Sequence, residues 1–322
     1  MIPIPKSIRK NDGVAIILAL LVLGLVTATV LSTATLTSKD AELSIRFEEK
    51  TKSRYLSDTG VKAAIIALRE DGNMNEYDTL DEIWSRPSPP ITFGQGETVV
   101  LVVDEERKFN VNSLIMPNGI SENEKMVAIF NALLTRLDLE TSLTDAILDW
   151  LDEDDTPRIG GGESAYYRTL TPPYTVKNDL FDSIYELKLL KGVDGKTLRT
   201  LFPYVTAHGN GKININTAPE DILISLSRGE DPEFQYYIDQ EAVNEIVEYR
   251  KEVPFEKPED LTKVSSSLEE LYRQSRIRDV ITTESTVFTV YVKSTIDKTV
   301  GRMESMLLRE GKTVKEIYRI AN

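Results

Sequence analysis

The apolar positions of this chain fall into one long uninterrupted block near the start and many short ones after it. From Val14 to Ser38 no charged side chain occurs, and about 20 apolar residues are enough for a helix to cross the hydrocarbon core of a bilayer. Past Ser38 the sequence turns polar but stays compatible with helix. Between Asp40 and Glu70 the one potential breaker is Gly60, and Glu42/Arg46, Glu48/Lys52 and Asp58/Lys62 sit at helix-stabilising spacing. Asp71-Gly72-Asn73 ends the run. One helix from Val14 to Glu70 would be roughly 85 Å long at 1.5 Å rise per residue, far longer than a bilayer is thick. The pattern therefore predicts a transmembrane part at 14–38 and a projecting part at 39–72.

The remaining apolar runs are short. A Pro-rich connector, Arg86-Pro87-Ser88-Pro89-Pro90, leads to Thr98–Val103, a β-branched run that reads as a buried strand. Lys108-Phe109-Asn110-Val111-Asn112-Ser113-Leu114 follows, and Lys212-Ile213-Asn214-Ile215-Asn216-Thr217-Ala218 echoes it. In both, an apolar/Asn alternation ends in Asn-Ser or Asn-Thr, good N-caps for a following helix. Between the echoes the pattern is helical, most clearly over Glu122–Leu137 and Leu143–Leu151. Near the end Thr286–Val292 alternates, and Met303–Arg309 and Val314–Arg319 flank the turn Glu310-Gly311-Lys312. The expected fold is α+β: a long N-terminal helix packed on an antiparallel sheet, with a large inserted α-helical unit. We place the α/β part at 73–112 and 206–322 and the insertion, with its acidic loop, at 113–205.

Composition narrows the function. Against 38 Lys+Arg stand 52 Asp+Glu, a net charge of −14 that repels a phosphate backbone. Cysteine is absent, which removes disulfides, thiolate metal sites and cysteine nucleophiles. The single histidine, His208, lies in His208-Gly209-Asn210-Gly211, a turn sequence. No nucleophile–base pair is legible, so no enzyme is expected. Residues Ile213–Leu223, Ile246–Arg250, Pro254-Phe255 and Asp260-Leu261 resemble a helix-hairpin-helix of DNA-uptake type, and a membrane-anchored periplasmic DNA receptor is one alternative. That motif needs a Gly-x-Gly hairpin to hold a phosphate. Here Ser227-Arg228-Gly229-Glu230-Asp231-Pro232-Glu233 supplies one glycine and three acids. Nucleic acid is not the expected partner.

The densest chemistry lies between Asp149 and Glu163, where six carboxylates meet one compensating base, Arg158. Such crowding costs free energy unless a cation is present. Oxygen donors without His or Cys select a hard cation, and the loop's glycines would let oxygens converge at Ca²⁺ distances of ~2.3–2.6 Å. The loop is no EF-hand, since Pro157 interrupts it and the required central glycine is missing. A solvated acidic helix end is the other reading of the same residues. Trp150 and Tyr166-Tyr167 read as packing residues.

The N-terminus also resembles that of pilins and pseudopilins. A short leader with Lys6, Arg9 and Lys10 against Asp12 ends at Gly13, immediately before the apolar block. The resemblance implies cutting between Gly13 and Val14 by a prepilin peptidase, methylation of the new terminus, and a leader left in the cytoplasm with the bulk periplasmic, as the basic flank also predicts. Most relatives carry Glu at the fifth mature position; here it is Leu18. In those families that Glu pairs with the amino terminus of the neighbouring subunit, so its loss suggests a subunit with no neighbour above it.

Further motifs are similar to those of the general secretion pathway protein K family. They are the two Asn-rich steps, Asp149–Asp155, Gly160–Glu163, Tyr166-Tyr167, Pro173-Tyr174, Asn178, Glu186-Leu187 and Leu201–Val205, and the resemblance runs from Gly13 to about Leu226. It implies a minor pseudopilin of a type II secretion system in the bacterial inner membrane, at the tip of the pseudopilus, priming the fibre and supporting export. Its partners would be other minor pseudopilins, the major pseudopilin, prepilin peptidase, and exported substrates or the outer-membrane secretin. It also implies Ca²⁺, with Asp152, Asp154, Asp155 and Glu163 as ligands, Asp149 capping or pairing, and Glu153 facing solvent. A minor pilin of a type IV pilus is a closely related alternative.

Overall fold

The computed structural model describes residues 12–226, 238–274 and 276–321; the basic residues of the leader and the Ser227–Glu233 hairpin lie outside them. Helix α1 (Asp12–Asp71) is followed by β1 (Ile91–Phe93) and β2 (Gly96–Asp104). The chain then runs through β3 (Phe109–Asn110), α2 (Glu124–Arg136), α3 (Leu143–Leu151), α4 (Ser164–Tyr167), α5 (Gly195–Leu201), β4 (Val205–Thr206), β5 (Ile213–Asn214), α6 (Glu220–Ser225), α7 (Gln240–Glu252), α8 (Ser266–Gln274) and β6 (Ile281–Thr282). It closes on β7 (Val287–Ile296), β8 (Thr299–Glu310) and β9 (Thr313–Ala321).

As the pattern predicts, α1 is one helix of 60 residues, and residues 13–48 are all exposed. Leu25, at 66% exposure, touches as little of this chain as Val14, at 64%. Only the last third packs on the sheet. Ser53, Ser57, Gly60, Ala64 and Leu68, spaced by three or four, form one buried stripe. Small residues let the helix settle close to the strands: a Cβ on Gly60 would stand 2.8 Å from Val292 Cγ1 and 3.1 Å from Val100 Cγ2. Lower down the contact is polar, with Ser294 Oγ hydrogen-bonded to Ser53 Oγ at 2.7 Å and Ser57 Oγ at 2.8 Å.

The sheet has five strands in the order β1-β2-β7-β8-β9, every neighbouring pair antiparallel. In β2 the side chains alternate. Thr98, Val100, Val102 and Asp104 are buried, while Val99, Leu101 and Val103 on the other face are only half-buried. Val61, Ala64 and Leu68 meet Val100, Val102, Val290, Val292 and Leu307 in one apolar layer, with Trp84 set edge-on to Phe288 at 5.1 Å. The antiparallel sheet and the hairpin turn at Gly311 (φ +56°) match the expectation from sequence.

The boundary of the insertion differs. Residues 206–281, placed above in the α/β part, share a continuous core with 109–205, reaching from Phe109 to Ile281. The helical unit has two halves, each opened by one Asn-rich echo and closed by a parallel strand pair, β3 with β4 and β5 with β6. Asn110 of the first echo caps the short helical turn Val111–Leu114, but the Asn before Ser113 and the Asn before Thr217 act differently from the expected N-caps. Asn112 takes the N–H of Phe181 at 2.8 Å and donates to its carbonyl at 3.0 Å. Asn216 does the same to Phe255, both at 2.9 Å. A carboxamide carries the donor–acceptor pair that a lone peptide unit needs, so each Asn clasps a distant chain segment rather than starting a helix. Asn216→Ala is expected to cost about 2–3 kcal/mol by leaving both buried backbone groups of Phe255 unpaired, read as a lower urea midpoint at unchanged slope.

Candidate metal centre

Helix α3 carries the first acids of the cluster. Its C-cap is Asp152, whose N–H bonds back to the Leu148 carbonyl. Asp149, on the last turn, is fully buried. It accepts from the Arg158 backbone N–H at 3.1 Å and from Arg158 Nη1 at 2.7 Å, so it pairs, as expected, with a base. The loop closes over it because residue 161 is glycine: a Cβ there would fall 2.0 Å from Asp149 Oδ2. Trp150 stacks near Phe181 at 6.3 Å and stands edge-on to Tyr167 at 5.7 Å, both rings buried, in the packing role read from sequence.

Asp152 and Glu163 are each 2% exposed. Asp152 Oδ2 accepts from Arg158 Nη1 at 2.6 Å, while Oδ1 is buried and has no hydrogen-bond partner. Both carboxylate oxygens of Glu163 are buried without a partner. Glu163 occupies the N-cap position of α4 but its side chain caps nothing. Burial, and then the charges of Asp149, Asp152, Asp155 and Asp154, push its carboxyl up to about 8. Burial also raises Asp152 above the ordinary carboxylate range, against the pull of Arg158.

Asp154 and Asp155 are exposed, as is Glu153. Both aspartates lie close enough to act on Glu163, and Asp154 Oδ1 accepts from the Thr156 N–H at 2.7 Å. Of the four expected ligands, then, Asp152 and Glu163 are buried and Asp154 and Asp155 are exposed, and among the described residues no three of the four bring ligand oxygens within 4.8 Å of one another. A further buried oxygen belongs to a residue that contacts Asp154. Asn178 Oδ1 is buried and unpartnered, and Asn178 is held by its Nδ2 donating to the Asp154 carbonyl at 3.1 Å. Its backbone is left-handed (φ +51°), a conformation Asn tolerates better than most residues. Asn178 stands out in the sequence as a shared motif residue, but nothing local marks it as a ligand.

Buried oxygens without partners are expensive to maintain. Here they come from three separate segments, all are oxygen donors, and they carry excess negative charge. Oxygen donors of this kind are the type a hard divalent cation takes. A second acidic group, Asp71, Asp78 and Glu82, has ligand oxygens within 4.8 Å of one another. Its positive charge is supplied by Arg309, which contacts Asp71 Oδ2 at 3.0 Å and Asp78 Oδ1 at 2.5 Å. His208 sits in the turn expected for it, followed by left-handed Gly209 and Gly211, its carbonyl accepting from Asn110 Nδ2 at 3.1 Å.

An exposed apolar helix long enough to cross a membrane, a pilin-like sheet packed on its far end and an inserted helical unit define an α+β fold of pseudopilin type. The model of the family "Type II secretion system (T2SS), protein K" matches residues 107–210. Type II secretion system protein K of Aeromonas hydrophila is 37% identical over 183 residues, 51% of this chain and 54% of that protein, so the match spans about half the relative's length. The Pseudomonas aeruginosa protein of the same name is 29% identical over 273 residues, 79% of this chain and 77% of that protein. A chain in the crystal structure of the GspK–GspI–GspJ complex from the enterotoxigenic Escherichia coli type 2 secretion system superposes with a TM-score of 0.65 at 20% identity, over 86% of this chain and 98% of that one. By these matches the chain is similar to the type II secretion system protein K family.

Proposed function

We propose that this chain works as the tip subunit of the type II secretion pseudopilus, priming fibre assembly together with other minor pseudopilins and supporting export across the outer membrane. The observation that carries it is the division of α1. Residues 13–48 bury nothing against the rest of the chain, while the last third is locked to the sheet. An apolar helix that packs on nothing of its own is suited to lipid and to parallel helices of partner subunits. Cutting after Gly13 would free Val14 as the new terminus, with the bulk of the chain periplasmic. Leu18 then leaves no carboxylate to receive a neighbour's amino terminus, which suits a subunit that starts the fibre. The helical unit, from Phe109 to Ile281, is too bulky to stack between repeating subunits and suits a position on top, where exported substrates or the secretin could meet it.

The same reading gives the calcium site a structural task. Asp152, Glu163 and Asn178, with Asp154 and Asp155 at the rim, would hold Ca²⁺ and tie the acidic loop to the Asn178 segment. The relative's complex with GspI and GspJ makes their counterparts in the host the expected partners, docking through α1 and through the exposed edge strand β9. Coexpressed with a prepilin peptidase, the chain should begin at Val14 by N-terminal sequencing and co-purify with those counterparts from detergent extracts. A chain that begins at Met1 with or without the peptidase, and that enters no such complex, would sink the proposal.

A further inference from the structure

The acidic loop contains its own counter-charge. Arg158 is the one basic residue between Asp149 and Glu163, and its guanidinium reaches three carboxylates on two segments, the end of α3 and the stretch before α2. Nη1 lies 2.7 Å from Asp149 Oδ1 and 2.6 Å from Asp152 Oδ2, while Nη2 lies 2.9 Å from Glu122 Oε1. Nε donates to the same Glu122 oxygen at 3.0 Å, so the group is anchored on both sides. Asp149 is consumed entirely: its oxygens face Arg158 and its exposure is nil. Asp152 is divided. One oxygen goes to Arg158, and the other is the buried, unpartnered one that belongs to the cation site.

We propose that Arg158 is a resident counter-ion that sets how tightly this site holds calcium. It withdraws Asp149 from the available ligands, takes half of Asp152, and places a fixed positive charge against the carboxylate whose other oxygen would bind the ion. Affinity at oxygen sites follows the ligand charge count and the rigidity of the site. A site with an arginine built into its first acidic residue holds Ca²⁺ more loosely than its carboxylates alone would, and exchanges it with the surroundings. The arginine also serves the metal-free protein, because without it Glu122, Asp149 and Asp152 would repel one another in a poorly hydrated place. An arginine needed only to neutralise buried Asp149 would have no reason to engage Asp152 as well.

This inference rests on the calcium reading above, and its test separates the two. Calcium alone is titrated into the full-length, detergent-extracted chain by calorimetry and by thermal melting, for the wild type, Arg158→Gln and Glu122→Gln. Arg158→Gln should melt lower without calcium yet reach half-saturation at roughly tenfold less calcium, since one opposing charge close to the ion is gone. Glu122→Gln alters an exposed residue outside the ligand set and leaves Arg158 fewer carboxylates to neutralise; it should weaken binding by about threefold. If Arg158→Gln folds only with calcium, its affinity is read by competition with a chelator. An Arg158→Gln chain that binds calcium no tighter than wild type, or a Glu122→Gln chain that binds it as tightly or more so, overturns the counter-ion role and leaves the site standing. A wild-type chain that calcium neither binds nor stabilises overturns both.

Discussion

Replacing Arg309 by methionine is expected to lower the unfolding free energy by about 3–5 kcal/mol, the cost of stranding a buried carboxylate whose partner has been removed. Arg309 Nη2 holds both oxygens of Asp78, at 2.5 and 2.6 Å, and also donates to the Ser285 carbonyl at 2.9 Å. Nη1 reaches Asp71, the last residue of α1, at 3.0 Å, and the guanidinium lies over the Phe288 ring at 4.8 Å. Asp78 is fully buried. The arginine therefore joins the end of the long helix, the connector after it and strand β8 at one point. Burial pushes the Asp78 carboxyl above its ordinary range even with Arg309 beside it, and the substitution would push it further. A carboxyl raised on folding binds its proton more tightly in the native state, so native stability is lost as pH rises through that range. The deficit of the variant should thus be largest at neutral pH and shrink on mild acidification. Urea unfolding of the full-length chain at both pH values measures it, and a neutral-pH loss under about 1 kcal/mol would equate the pair with an exposed salt bridge.

Chelating calcium should also destabilise the chain, by about 2.7 kcal/mol relative to a calcium concentration 100-fold above the dissociation constant. The pH dependence gives this prediction its specificity. Glu163, pushed up to about 8, keeps its proton at neutral pH when no ion is present. Because its folded value lies above the unfolded one, its contribution to metal-free stability is greatest at low pH and falls as pH rises toward 8. Calcium takes over the proton's role. The increment in melting temperature on adding calcium should therefore grow between about pH 5 and pH 8. Glu163→Gln keeps the shape of the neutral side chain while removing its charge, so it should lose most of the calcium increment together with that pH dependence. Equal increments at both pH values, retained in Glu163→Gln, would show that calcium acts somewhere else.

These two networks differ in how far the sequence announces them. Six acids around Arg158 within one short stretch are visible at once, and so is the oxygen-only chemistry they impose. Which of them are interior is not visible: Asp152 and Glu163 are buried while Asp154 and Asp155 reach solvent. The Arg309 network has no local mark at all. Arg309 lies more than two hundred residues from Asp71 and Asp78 and meets them only because β8 pairs with β7 beside the end of α1. The two Asn-rich echoes fall in between. Their similarity is plain in the sequence, yet the identity of what they grip, Phe181 and Phe255, depends on how the helices between fold back.

Taken by itself, the sequence determined what is written in short-range period and composition. That covers the long apolar helix and its stop at Asp71, strands β2, β7 and β8, the hairpin at Gly311, helices α2 and α3, and the acidic loop around Arg158. Those features depend on each residue and its near neighbours, because helix and strand repeat every 3.6 and 2 residues. Tertiary structure alone decided that the helical unit extends to Ile281, that Asn178 contacts Asp154, that Arg158 takes one oxygen of Asp152, and that Arg309 neutralises Asp78. Burial and charge pairing depend on which distant surfaces close over one another, and no local period records that.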